Sequence, residues 1–164
     1  MKIFALLVFF SLFLHAAQPP IINSAARIHP QSSSQAMIVC QDEPAADIAL
    51  EILKNGGNAA DAAVALAYAL AVTQPKAGNL GGGGFALYYE AATGKTKAID
   101  FREMAPLASS KNMYLDDKGN VDQQRVRFSA KACGVPGTVA GLEFISKKYG
   151  KLKHSELLQG AIKL

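Results

Sequence analysis

The spacing of apolar and polar positions changes several times along this chain, and each change marks an element. After Met1-Lys2 come twelve residues, Ile3 to Leu14, that are apolar except for Ser11. A helix needs roughly 20 apolar residues to span a bilayer. The run therefore reads as the hydrophobic region of a signal peptide, and Leu14-His15-Ala16-Ala17-Gln18 offers small residues for cleavage after Ala16 or Ala17. Residues 1–17 are read as the signal and 18–35, with Pro19, Pro20, Pro30 and Ser32 to Ser34, as an irregular lead-in. No Cys follows the apolar run to carry a lipid, and no later apolar stretch reaches membrane length before a helix breaker. An exported, soluble protein with no stable membrane anchor is expected.

From residue 36 the pattern becomes that of a folded domain. Ala36 to Cys40 predicts a short strand, closed by Gln41-Asp42-Glu43. Pro44 suits the first turn of a helix, where its missing N–H is no loss. Ala45, Ile48, Ala49, Ile52 and Leu53 then recur at helical spacing until Gly56-Gly57. Asn58 is placed to cap a second helix, with Asp61 three residues on, where a carboxylate meets unpaired N–H groups and the positive end of the helix dipole. That reads Asp61 as structural. Of the fourteen residues Ala59 to Val72, thirteen are apolar, so this helix is expected to be covered all round. A Gly-rich run, Gly78 to Gly84, leads into Phe85 to Glu90, whose aromatic content favours strand. Ala91 to Gly94 predicts a hairpin loop and Lys95 to Phe101 the return strand. Polar turns follow Pro106, with Asp116 to Asn120 the clearest. A helix then opens at Gly134-Val135-Pro136-Gly137 with Val139, Leu142, Ile145 and Tyr149 on one face. Another starts at Ser155 with Leu157, Leu158, Ala161 and Ile162 as its apolar face, and no stop signal precedes Leu164. The fold class is α+β, and the open last helix points to a piece of a longer protein.

Charge narrows the partners. The chain carries 17 basic and 13 acidic side chains, for a net +4, and only Lys2 leaves with the signal. Nucleic-acid binding needs the excess gathered on one face. Arg125, Arg127 and Lys131 around Phe128, and Lys147, Lys148, Lys151 and Lys153 around Tyr149, read instead as solvated surface, so no nucleic-acid partner is expected. Cys40 and Cys133 could form a disulfide in an oxidising compartment or stand unpaired as small core residues. With no His beside them they make no zinc site, and neither a metal nor a cofactor is expected.

The chemistry-bearing residues are few. Gly81 to Ala86 matches a dinucleotide fingerprint in letters only, because a helix precedes it and a strand follows, the reverse of what the pyrophosphate requires. Gly94-Lys95-Thr96 resembles the end of a phosphate loop, yet Tyr89 stands where the first glycine belongs. Four consecutive glycines do permit close backbone approach, either as a tight crossing in the core or toward a ligand. His15, His29 and His154 lack a partnered nucleophile, and no Ser or Cys lies in a nucleophile elbow. The notable residue is Arg102, where the return strand leaves the hairpin. Strand alternation puts Asp100 and Arg102 on one face and Phe101 on the other. A guanidinium there could grip a carboxylate by two hydrogen bonds, with Asp100 or Glu103 holding it. The alternative is an Arg simply paired with those neighbouring acids.

Four segments, taken together and in order, resemble the large-subunit part of the γ-glutamyltranspeptidase (glutathione hydrolase) family. They are Ile52 to Ala63 (ILKNGGNAADAA), Asn79 to Phe85 (NLGGGGF), Asp100 to Pro106 (DFREMAP) and Gly134 to Gly141 (GVPGTVAG). Glu43-Pro44 and Pro75 to Gly78 depart from the pattern. The resemblance implies an N-terminal nucleophile hydrolase fold, an αββα sandwich of which residues 36–164 would be the N-terminal portion. It also implies a proenzyme that cleaves itself, so that a Thr heads a small subunit, the partner made from the same precursor. The implied activity is transfer and hydrolysis of the γ-glutamyl group of glutathione and related compounds in the periplasm. No Thr-Thr-His processing signature occurs in these 164 residues, so the resemblance implies a catalytic nucleophile elsewhere in the precursor. One role carries over by position: Arg102 as the ligand of the glutamyl α-carboxylate. The competing expectation is an exported non-catalytic module with an anion pocket at Arg102.

Overall fold

The structure is a computed structural model that describes residues 32–164; the expected signal peptide and most of the expected lead-in lie outside the described residues. One compact body runs from Ala36 to Leu164. Its first element, α1 (Glu43–Lys54), starts where Asp42 accepts the Ala45 N–H at 3.0 Å, with Pro44 in the first turn as expected. The chain turns through Gly56, at φ +90°, a backbone state open to glycine at little cost. Helix α2 (Ala59–Thr73) follows and packs against α1.

The N-terminus of α2 is a capping box that does more than cap. Asn58 Oδ1 accepts the Asp61 N–H at 3.0 Å, and Asp61 Oδ2 accepts the Asn58 N–H at 2.9 Å. The fully buried Asp61 carboxylate also accepts the N–H groups of Lys151 (3.0 Å) and Leu152 (3.3 Å), while Asn58 Nδ2 donates to the Tyr149 carbonyl at 2.6 Å. A buried carboxylate is tolerable only when so satisfied. Asp61 is thus structural, latching the start of α2 to a chain segment ninety residues away.

Strands β1 (Phe85–Glu90) and β2 (Lys95–Asp100) form an antiparallel hairpin, Phe85 opposite Asp100 and Glu90 opposite Lys95, around a loop with Gly94 at φ +65°. One face is inward: Ala86, Tyr88, Ile99 and Phe101 pack toward the helices, and Tyr88 stacks on Tyr149 with ring centroids 4.6 Å apart. The other face is apolar but open, with Phe85, Leu87 and Tyr89 more than half exposed. Next come α3 (Gln123–Phe128), a 3-10 turn at Ala130–Ala132, and α4 (Thr138–Tyr149). Two short helices, α5 (His154–Leu157) and α6 (Gln159–Lys163), end the described chain. The core is Ala60, Val64, Ala65 and Tyr68 of α2 against Leu142 and Ile145 of α4 and Leu157 of α5. His154 lies edge-on to Tyr68, its Nε2 3.3 Å from the phenol, and burial raises that phenol above its ordinary 10.0.

Four expectations need correction. Residues 36–40 form no strand: among the described residues no partner runs beside them, Val39 is 86% exposed, and β-prone side chains make no strand without a ladder. The helix expected from Ser155 onward is broken at Leu158 into α5 and α6, neither with a side-chain cap, and Ile162 faces solvent. Helix α2 is not covered all round, since Ala63 and Val72 are exposed among the described residues. Val139 likewise sits outside the buried face of α4. Helix α3, opened by Asp122 accepting the Arg125 N–H at 3.0 Å, was not expected.

Candidate functional site

Arg102 is the second residue past β2, on a wall of a groove of about 730 Å³ between β2 and α4. Ile99, Phe101, Val135, Ala140 and Phe144 give the groove an apolar lining, and Lys97 and Lys148 line it further along, toward Tyr149. The Lys148 ammonium sits 5.2 Å from the Phe144 ring centroid.

Backbone contacts, rather than ion pairs, hold the Arg102 segment. The Phe101 N–H donates to the Gly84 carbonyl at 3.0 Å, extending the hairpin by one bond, and Met104 and Val135 exchange two bonds of 3.1 and 2.8 Å. The Gly82 carbonyl accepts the N–H groups of Gly137 (2.8 Å) and Thr138 (3.1 Å), tying the glycine run to the start of α4. A side chain at Gly83 would put its Cβ 2.5 Å from Glu103 N and 2.7 Å from Arg102 Cα. The glycine run is therefore a close backbone crossing, and the segment it crosses is the one that bears Arg102.

The expected pairing of Arg102 with neighbouring acids is absent. Asp100 Oδ1 accepts the backbone N–H of Arg102 at 3.0 Å, a local turn contact that occupies the carboxylate with its own chain. The Glu103 side chain lies along Gly83 and Gly134. Among the described residues the ion pairs are Lys54–Glu51, Arg125–Asp122 and Lys147–Glu143, and none involves Arg102. An exposed guanidinium without an internal partner, at the rim of an apolar groove, can take a carboxylate from outside through two parallel N–H···O bonds. Residue-level reasoning missed Lys97 and Lys148 as groove neighbours and Phe101 as the residue the glycines surround. The spacing of Gly137 and Gly141, one helical turn apart, was the available signal for the latter.

Other candidates lie elsewhere. Cys40 is half-buried, Cys133 is exposed, and both are free thiols, so neither the disulfide nor the buried-core alternative describes them. Among the described residues no three His, Cys, Asp or Glu side chains gather as metal ligands.

A sequence model of the family described as gamma-glutamyltranspeptidase matches residues 45–164. The chain belongs to that family. The glutathione hydrolase proenzyme of Escherichia coli (strain K12) is 47% identical over 159 residues, which are 94% of this chain and 27% of that protein. The glutathione hydrolase proenzyme of Pseudomonas aeruginosa is 56% identical over 125 residues, 76% of this chain and 22% of that one. The crystal structure of Helicobacter pylori γ-glutamyltranspeptidase superposes with a TM-score of 0.77 at 48% identity, covering 83% of this chain and 39% of that one. This chain thus spans about a quarter of the length of these curated relatives. Its α+β fold is that of the γ-glutamyltranspeptidases over the region they share.

Proposed function

We propose that this chain supplies part of the large subunit of a γ-glutamyltransferase and glutathione hydrolase, made as a proenzyme, with Arg102 binding the α-carboxylate of the γ-glutamyl donor. The observation that carries the site assignment is an exposed Arg102 guanidinium with no ion pair among the described residues, on a segment pinned by the glycine run at an open groove. The family match and the names of the relatives support an enzyme over the non-catalytic anion-binding module.

In this reading the nucleophile is a threonine that heads the small subunit after self-cleavage, supplied by the rest of the precursor. Its hydroxyl oxygen attacks the γ-carbonyl while its own amine takes the proton, and the leaving amine departs with a proton as the ester forms. Water or an acceptor amine then attacks that ester, regenerating the threonine and releasing glutamate or a new γ-glutamyl amide. Arg102 takes no part in these bond changes. It fixes the donor by the carboxylate so that the γ-carbonyl, several bonds away, meets the nucleophile, and such positioning can be worth several kcal/mol. The open apolar face of the hairpin, Phe85, Leu87 and Tyr89, suits a second sheet packed against it, as an αββα sandwich requires. Export to the periplasm follows the signal-like N-terminus. No helix among the described residues is long and apolar enough to cross a membrane.

The test is Arg102→Lys in the full-length protein. Lysine keeps the charge but loses the paired donors. KM for a γ-glutamyl donor should rise about tenfold or more, matching loss of a charged hydrogen bond worth about 1.5–3 kcal/mol, while self-cleavage proceeds. An unchanged KM would remove Arg102 from the site.

A further inference from the structure

We propose that Phe101, seated in a notch formed by Gly84, Gly137 and Gly141, is the positioning residue that sets where Arg102 presents its guanidinium. The inference rests on the reading of Arg102 as the grip on the donor's α-carboxylate and concerns what aims that grip.

Arg102 has many rotamers and no ion-pair partner among the described residues, so its aim depends on the backbone from which it springs. Strand β2 ends at Asp100, leaving the Arg102 backbone outside the ladder. The residue before it is enclosed. A Cβ at Gly141 would stand 2.5 Å from Phe101 Cβ and 2.7 Å from its Cδ1. At Gly84 it would stand 2.8 and 3.0 Å from the far edge of the ring, and at Gly137 it would stand 2.8 Å from the Phe101 carbonyl carbon and 3.2 Å from the Arg102 oxygen. Three glycines from two separate segments thus meet one residue. The contact at Gly141 is the decisive one, because Phe101 Cβ is one bond from the backbone and no rotamer change can carry it away. Carbon atoms settle at about 3.5–4.0 Å, so a methyl at Gly141 must drive the two backbones about 1 Å apart. Helix α4 is anchored through buried Leu142 and Ile145, whereas the Arg102 segment lies at the open groove. The segment yields, and Arg102 moves with it.

The experiment uses the full-length protein and two anilide donors, one γ-glutamyl and one γ-aminobutyryl, which lacks only the α-carboxylate. Their ratio of kcat/KM measures how well the enzyme senses that carboxylate. Gly141→Ala should lower this ratio on the order of tenfold to a hundredfold, as expected for a misplacement near 1 Å, mainly through KM for the γ-glutamyl donor. General destabilisation would lower kcat/KM for both donors alike and leave their ratio unchanged, so a fall in the ratio reports the aim of Arg102 rather than loss of folded enzyme. Arg102→Lys separates the two ideas: if it leaves the ratio at the wild-type value, the carboxylate reading itself fails. If Arg102→Lys collapses the ratio while Gly141→Ala preserves it, the positioning role of Phe101 is overturned and the reading stands. Should Gly141→Ala not fold, as seen by its melt, Phe101→Leu alone decides: a lowered ratio supports the proposal and a wild-type ratio refutes it.

Discussion

Replacing Asp61 by Ala tests the latch that joins the start of α2 to the turn after α4. The carboxylate accepts the N–H groups of Asn58, Lys151 and Leu152 at 2.9, 3.0 and 3.3 Å and is fully buried. Alanine removes one partner of the capping box, but Asn58 Oδ1 can still take the residue-61 N–H, so that loss is about 1 kcal/mol. The Lys151 and Leu152 amides are left facing a void, at about 1–3 kcal/mol each when water cannot enter. Together the destabilisation is about 3–7 kcal/mol. Each kcal/mol lowers Tm by roughly 2–4 °C in a unit of 150–250 residues and by less in a longer chain, so a fall of several degrees is expected in the full-length protein. Amide exchange gives the local signature: Lys151 and Leu152 should lose protection more than the hairpin. A Tm within about 2 °C of wild type, with both amides still slow, would show that this carboxylate holds nothing and that its burial needs another explanation.

Two further outcomes follow from the same geometry. Residues 18–164 expressed alone should bind a hydrophobic dye and melt without a sharp transition, because a two-stranded sheet with Phe85, Leu87 and Tyr89 uncovered lacks the layer that stabilises it; a cooperative calorimetric melt would contradict this. In the turn at Asp116, the amides of Asn120 (2.8 Å) and Lys118 (2.9 Å) hold the carboxylate below its ordinary 3.8. Because the folded value is depressed, its contribution is complete above 3.8 and is lost as pH falls through the folded value, so the Asn120 amide shift should titrate only below 3.8, and a midpoint at or above 3.8 would refute the contact.

What could be read from the sequence was what local rules control. Pro44 starts α1, Gly56 ends it, Asn58 and Asp61 start α2, and Gly94 turns the hairpin; each signal sits within four residues of what it specifies. The failures lie where a distant partner decides. Residues 36–40 have strand-like side chains and no neighbouring strand, and Ile162 has the right spacing but no surface to cover it. Helix α3 is six residues long, too short for a helical period to register, although Asp122 was a legible cap. The position of Arg102 in the chain was visible; the forty-residue closure that brings Gly141 against Phe101 was not.

The acids beside Arg102 are turned elsewhere, and that leaves its guanidinium available. A carboxylate held against the guanidinium would fix it well, but a ligand would then have to displace a partner already in place, and most of the attraction would be spent within the protein. Here Asp100 accepts a backbone N–H and Glu103 lies along Gly83 and Gly134, so both help shape the segment without neutralising its side chain. Orientation comes instead from apolar contact between Phe101 and backbone that carries no side chains, and such contact does not compete for charge. Removing the glycines' freedom to approach Phe101 would therefore force a choice between holding the guanidinium and leaving it available, and this packing achieves both at once.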